Sequence, residues 1–178
     1  MRTAWQSDEE LFVLMRQQLY SAVIGDILDT IGYRHQFFPP QIRPLADGMV
    51  LAGRAVPVLE ADVYHDDPEA PWGEMLDALD SLRPAEIYVA AGASNAYALW
   101  GELMSTRARM LGAGGVVLDG YVRDSHAIRE MKFPCFARGT YAQDQRGRGR
   151  VIAHRTPIEI GQAAWRQAIS SSETRMAC

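Results

Sequence analysis

Hydrophobic and polar positions repeat with two different periods along this chain, and the change of period divides it. Near the start, Leu11, Leu14 and Met15 recur at helical spacing behind Ser7, Asp8, Glu9 and Glu10. A serine before three acids is an N-cap with a first turn suited to the helix dipole, and Glu10 holds the capping-box position. A first helix is predicted there. A second begins near Ser21, places Ile24, Ile27, Leu28 and Ile31 on one face, and stops at Gly32. The two make a helical N-terminal segment over about 7–32.

The stretch "YRHQFFPPQIRPLADG" reads as a loop by its prolines, with its two phenylalanines tucked against something. "MVLAGRAVPVLEA" is β-rich, although Gly53 and Pro57 are poor residues for the interior of a regular strand pair. A polar loop, "DVYHDDPEAPW", and a short amphipathic helix, "GEMLDALDSL", follow. Then the alternation becomes regular: strand 86–92, a helix ending at "RARML" before Gly112, strand 115–120, helix 125–131, strand 133–139. This is a βαβαβ unit, which calls for parallel strands joined by right-handed crossovers. The reading is an α/β chain whose core spans about 49–161, followed by a tail over 162–178. Of that tail, "AAWRQAISSSETRMAC" is expected to be helical or disordered and not strand-like.

Length and composition narrow the picture. With 178 residues, 48% hydrophobic and 22% charged, the chain fits one ordinary globular domain. A net charge of -4 disfavours a nucleic-acid partner, because such proteins usually present a basic face. The basic run "RGRGR", Arg146 to Arg150, reads as an exposed hairpin turn. Cys135 and Cys178 form no disulfide framework, and no run approaches the ~18 apolar residues needed to span a membrane. The expectation is a soluble, unprocessed cytoplasmic protein without a membrane or nucleic-acid partner.

In open parallel α/β sheets, ligands gather where strand C-termini meet the loops leading into helices. Two loops qualify. The first, "GASNAYALWGE", enters a helix that starts somewhere between Asn95 and Gly101. A start near Gly101 would aim free amides at an anion and stand Glu102 in the first turn; from the sequence alone Glu102 reads first as a plain N-terminal acid favoured by the dipole. The second loop supplies Arg123, a planar fork suited to a carboxylate, and Asp124, an oxygen donor suited to a hard cation. The alternative is that Asp124 merely caps helix 125–131 while Arg123 is solvated, since adjacent residues seldom pair. His35, His65, His126 and His154 have no metal-ligand spacing, "GAGG" at 112–115 precedes a strand rather than following one, and Cys135 reads as an inert buried thiol. Asp66 and Asp67 read as solvated acids of a proline loop.

Gly101-Glu102, twenty residues, then Arg123-Asp124, set in "WGELMSTRARMLGAGGVVLDGYVRD" and followed by "FPCFARG", closely resembles one family. It joins the RraA-like regulators of ribonuclease E activity to the 4-hydroxy-4-methyl-2-oxoglutarate aldolases. The resemblance extends more loosely from the helix near 21, through "IRPL" and "LAGRAV", to about Gly161. It implies a fold like the phosphohistidine swivelling domain, assembled as a homotrimer or hexamer with sites between subunits. It also implies a class II pyruvate aldolase site dependent on Mg²⁺ or Mn²⁺. Asp124 would ligate the metal directly and Glu102 would hold metal-bound water. Arg123 and the backbone of Gly101, Glu102, Leu103 and Met104 would grip the carboxylate of a small 2-oxo acid. Aldol cleavage and oxaloacetate decarboxylation would then share one metal-stabilised enolate. A non-catalytic protein-binding regulator on the same scaffold is the alternative.

The chain departs from that family in three places. Ala127 stands where relatives often carry an acid, "EADVYHDDPEAPWGEM" replaces a shorter connection, and "AAWRQAISSSETRMAC" replaces a proline-glycine-aspartate turn and a valine-rich strand. A sheet edge left open would be an aggregation hazard unless covered, so oligomerisation is expected to matter more here than in longer relatives.

Overall fold

A computed structural model describes residues 5–166. The elements are α1 (Asp8–Gln18), α2 (Ser21–Thr30), β1 (Arg43–Pro44), β2 (Arg54–Asp62), α3 (Met75–Asp80), β3 (Glu86–Ala91), β4 (Ala98–Trp100), α4 (Glu102–Met110), β5 (Gly115–Leu118), β6 (Tyr121–Val122), α5 (Ser125–Met131), β7 (Cys135–Ala137), β8 (Gly139–Thr140), β9 (Gly149–His154), β10 (Ile158–Ile160) and β11 (Ala163–Trp165). A six-stranded sheet runs β1-β7-β5-β3-β2-β9. Its four inner strands are parallel, and the two edges run antiparallel to them.

The N-terminal reading holds in detail. Ser7 Oγ accepts from the Glu10 amide at 3.2 Å, and Glu10 reaches back to the Gln6 amide at 2.7 Å. α2 ends before Gly32, whose φ of +93° suits a residue without a Cβ. Its apolar face, however, is not packed on the sheet: Ile27 is 54% and Ile31 64% exposed.

Pro57 proves to lie inside the sheet, paired with Val89 across β2–β3. The ladder to β9 begins only at Val58, and Pro57 uses its carbonyl to accept from the Arg155 amide at 2.7 Å. Its missing donor therefore falls where β9 has already left the ladder, and a proline costs little there.

The expected βαβαβ unit is β3-α4-β5-α5-β7. One face of the sheet packs Val56, Val58, Tyr88, Val116 and Leu118 against α3, α4 and α5; the other packs Ile87, Val89 and Val117 against Ile158, Ile160 and Trp165. That second covering corrects the reading of the tail. Ala163–Trp165 is a strand paired with β10, and Trp165 stacks on Phe38 at 4.3 Å. The alternation buried, exposed, buried over Ala163, Ala164 and Trp165 is too short to stand out from the polar sequence after it. The rest of the tail, 167–178, lies outside the described residues.

A second sheet escaped sequence reading altogether. β4, β6 and β8 are parallel and lie just beyond the C-termini of β3, β5 and β7. With two or three residues each, they carry no readable period.

Candidate functional site

Each strand of the small sheet delivers one piece of the site. β4 ends at Trp100 and passes through Gly101 into α4; β6 ends at Val122 and leads into Arg123 and Asp124; β8 leads into a segment carrying Asp144. The ladder locks them together: Arg123 N donates to Trp100 O at 2.9 Å, and Tyr141 N donates to Val122 O at 3.0 Å. Residues about twenty apart in sequence are thereby held side by side.

Gly101 is the N-cap residue of α4, which resolves the helix start in favour of Gly101. A glycine has no side chain with which to cap. Asp124 supplies it instead, its Oδ2 accepting from the Glu102 amide at 3.1 Å. Asp124 also stands at the N-cap position of α5, but with a left-handed backbone, φ 52° and ψ 33°, and its side chain makes no cap bond there. Aspartate tolerates that conformation better than most residues.

A Cβ at Gly101 would stand 2.6 Å from Asp124 Oδ2 and 3.1 Å from Arg123 Cγ. Glycine is required here by close approach. Buried Ser105 braces the turn, donating from Oγ to Gly101 O at 3.0 Å while accepting from Trp100 Nε1 at 2.7 Å. Glu102 and Leu103 are exposed, and Met104 packs partly into the core.

Arg123 pairs with its neighbour after all. Its Nε donates to Asp124 Oδ2 at 3.3 Å and its Nη1 to Asp144 Oδ1 at 2.9 Å. The left-handed turn at Asp124 brings the adjacent side chains to the same side. Asp144 was not foreseen from sequence, because an acid in "YAQDQRGRGR" looks like an ordinary loop residue.

The other sequence candidates sit elsewhere. Asp66 and Asp67 are not merely solvated: they form ion pairs with Arg146 and Arg150, fastening the loop after β2 onto β9. Arg146 to Arg148 form a turn leading into β9, not a hairpin between paired strands. His126 pairs with Glu130 and His154 with Glu74. Burial pushes the Cys135 thiol up to about 12, as befits an inert core cysteine. Among the described residues there is no group of three or more His, Cys, Asp or Glu side chains placed to hold a metal ion. No single described helix is long and apolar enough to cross a membrane.

The family model for RraA-like proteins (Aldolase/RraA) matches residues 21–168, which take in α2 to α5, every strand and the whole site but not α1. The chain belongs to the RraA-like family. This family contains both aldolase-type enzymes and non-catalytic ribonuclease regulators. Among its relatives, an uncharacterized protein of Methanocaldococcus jannaschii is 33% identical over 100 residues, 54% of this chain and 45% of that protein. This chain thus matches less than half the length of that relative. A structure of novel cellulases from microbes associated with the gut ecosystem superposes with a TM-score of 0.83 at 26% identity, covering 93% of this chain and 74% of the other. Streptomyces coelicolor RraAS2, an unusual member of the RNase ES inhibitor RraA protein family, superposes with a TM-score of 0.75 at 21% identity, covering 91% and 80%. That last likeness shows the RraA-like fold alone.

Proposed function

We propose that this RraA-like protein is a divalent-metal-dependent carbon–carbon lyase that cleaves a small 2-oxo acid to pyruvate, of the 4-hydroxy-4-methyl-2-oxoglutarate aldolase or oxaloacetate decarboxylase type. One observation carries the reading. A guanidinium and a carboxylate, Arg123 and Asp124, stand at the N-terminus of α4 against a glycine where any Cβ would crowd them.

The residues present fit a hydrated Mg²⁺ or Mn²⁺ rather than a closed cage. Such ions keep several waters and need only one or two protein carboxylates. Both hydrogen bonds of Asp124 fall on Oδ2, so Oδ1 is the oxygen available to ligate, with Glu102 in the exposed first turn of α4 to hold a metal-bound water. When bound, the cation supplies the Lewis acidity that draws off negative charge as the bond to C3 breaks.

The chain's own contribution is orientation. Two carboxylates fix the Arg123 fork through Nε and Nη1, leaving Nη2 to meet the substrate carboxylate. The first-turn amides of Glu102 to Met104 add the positive end of the α4 dipole. Holding the 2-oxo acid in one pose before reaction is what raises the rate.

The rival is a protein-binding regulator on the same scaffold, favoured by Ala127 in place of an acid. Pyruvate release from 4-hydroxy-4-methyl-2-oxoglutarate and from oxaloacetate, with and without Mg²⁺, separates the two, with Asp124→Ala alongside. Metal-dependent release that the variant loses supports the lyase. Equal rates in both proteins, or none in either, would count against the lyase and favour the regulator.

A further inference from the structure

Behind the site lies a buried carboxyl group that the mechanism above does not use. Glu60 stands on β2 where the register against β9 shifts, and it is 1% exposed. Its Oε2 accepts a 2.6 Å hydrogen bond from Gln145 Nε2, and its Oε1 meets no partner among the described residues. Gln145 is itself buried. An acid facing an amide in the core is costly beside an apolar pair of the same shape. Packing alone is a weak reason for it.

Gln145 directly follows Asp144, the residue that grips Arg123 Nη1. The segment between β8 and β9 that carries both has no strand or helix of its own. Gln143 O accepts from the Ala98 amide at 2.8 Å, and Gln145 O accepts from the Arg148 and Gly149 amides at 2.9 Å each. Gly149 lies so close to Tyr97 that a Cβ would come within 1.8 Å of its hydroxyl oxygen, and that hydroxyl donates to Asp62 Oδ1 at 2.8 Å. The Gln145 side chain is the link from this segment into the sheet interior.

We infer that the Glu60–Gln145 hydrogen bond is a positioning device for the site. It ties segment 141–148 to β2, holds Asp144 in place, and through Asp144 sets the direction in which Arg123 meets a carboxylate. The consequence for ligand binding rests on the function proposed above; the anchoring itself does not. Glu60 and Gln145 are positioning residues that touch no substrate.

The test uses the full chain and four variants: Glu60→Met, Gln145→Met, Glu60→Gln, and the exchange Glu60→Gln with Gln145→Glu. Hydrogen exchange of the ligand-free protein, with the Arg123 Nη1–H resonance by NMR, reads the anchor and the Asp144 contact it holds. Faster exchange is expected across 141–149 in the two methionine variants, together with loss of protection at Arg123 Nη1–H, the group that Asp144 accepts from. Wild-type protection is expected in Glu60→Gln, which keeps a carbonyl oxygen for Gln145, and in the exchanged pair. If Glu60→Met does not fold, Gln145→Met makes the same comparison. Calorimetry with oxalate and Mg²⁺ then reads the site: the methionine variants should bind roughly tenfold more weakly, the order that one charge-assisted hydrogen bond contributes, and Glu60→Gln should restore affinity. Unchanged protection across 141–149 in both methionine variants overturns the inference. So does oxalate binding as tight in them as in a wild type that binds it, which leaves the proposed function standing. A wild type that does not bind oxalate sinks the proposed function, while the exchange comparison still decides the anchor.

Discussion

At the scale of single residues, the site turns on what surrounds one glycine. Gly101→Ala adds a methyl that meets the Asp124 carboxylate, so either that carboxylate or Arg123 must shift. Pyruvate-forming activity is expected to fall about a hundredfold, as for a ~1 Å misplacement, while the thermal midpoint drops only by the few degrees that a weakened α4 cap costs. Steady-state assays beside melting curves check both halves. Arg123→Lys keeps the charge but loses the planar fork that Asp124 and Asp144 hold. It should raise KM about tenfold and lower kcat less, the pattern of lost ground-state binding; a variant with wild-type KM would remove Arg123 from substrate binding. Gly101, Glu102, Arg123 and Asp124 were legible as a set because their spacing resembles a family pattern. Asp144 was not, because its role comes from a side-chain contact and no local pattern encodes that contact.

Among elements, α4 borrows its N-cap from another loop. Asp124→Ala should therefore destabilise the fold by about 1 kcal/mol, the usual worth of a cap, in addition to its effect on activity. Asp124→Asn, which keeps an oxygen acceptor, should recover most of that loss in a denaturant melt without recovering metal dependence. β2 offers a second test. Burial raises the Glu60 carboxyl from its ordinary 4.5 to about 8, partly opposed by the bond from Gln145. Through that interval the folded state binds a proton that the unfolded state has released, so Glu60 makes stability fall as pH rises from about 4.5 to 8, with no further loss above. Glu60→Gln should remove this decline. Relative to wild type it should gain nothing near pH 4 and on the order of a few kcal/mol above pH 8, measured by unfolding at both pH values. The helices and long strands were readable from period and caps; β4, β6 and β8 were not, since two or three residues form a strand only when neighbours lie ready to pair with them.

For the whole molecule, exposed apolar surface sets the expectation. Tyr20, Ile27, Ile31 and Phe37 expose large hydrophobic groups at the start of α2, along it and in the loop after it. Contiguous patches of this kind usually mark an interface. A homotrimer or hexamer is expected in sedimentation, and charge introduced by Ile27→Glu with Ile31→Glu should dissociate it; a monodisperse monomer of the wild type would refute this. The expected open edge takes a different form from the one anticipated. The sheet ends in two-residue β1 on one side and in β9 on the other, with β9 overlaid by the loop that Asp66 and Asp67 fasten to Arg146 and Arg150. The residues 158–165 cover a face of the sheet rather than extend its edge.

The sequence by itself determined the helices and the parallel βαβαβ unit. These are local properties: side-chain period, capping residues and short motifs act over a few neighbours. Tertiary structure alone decided that the Asp124 side chain caps α4 instead of α5, that Asp144 and not solvent holds Arg123, and that a buried glutamic acid stands behind them. Each depends on groups distant in the chain meeting at hydrogen-bond distance, and that meeting is set by the register of strands and the packing of a shared core.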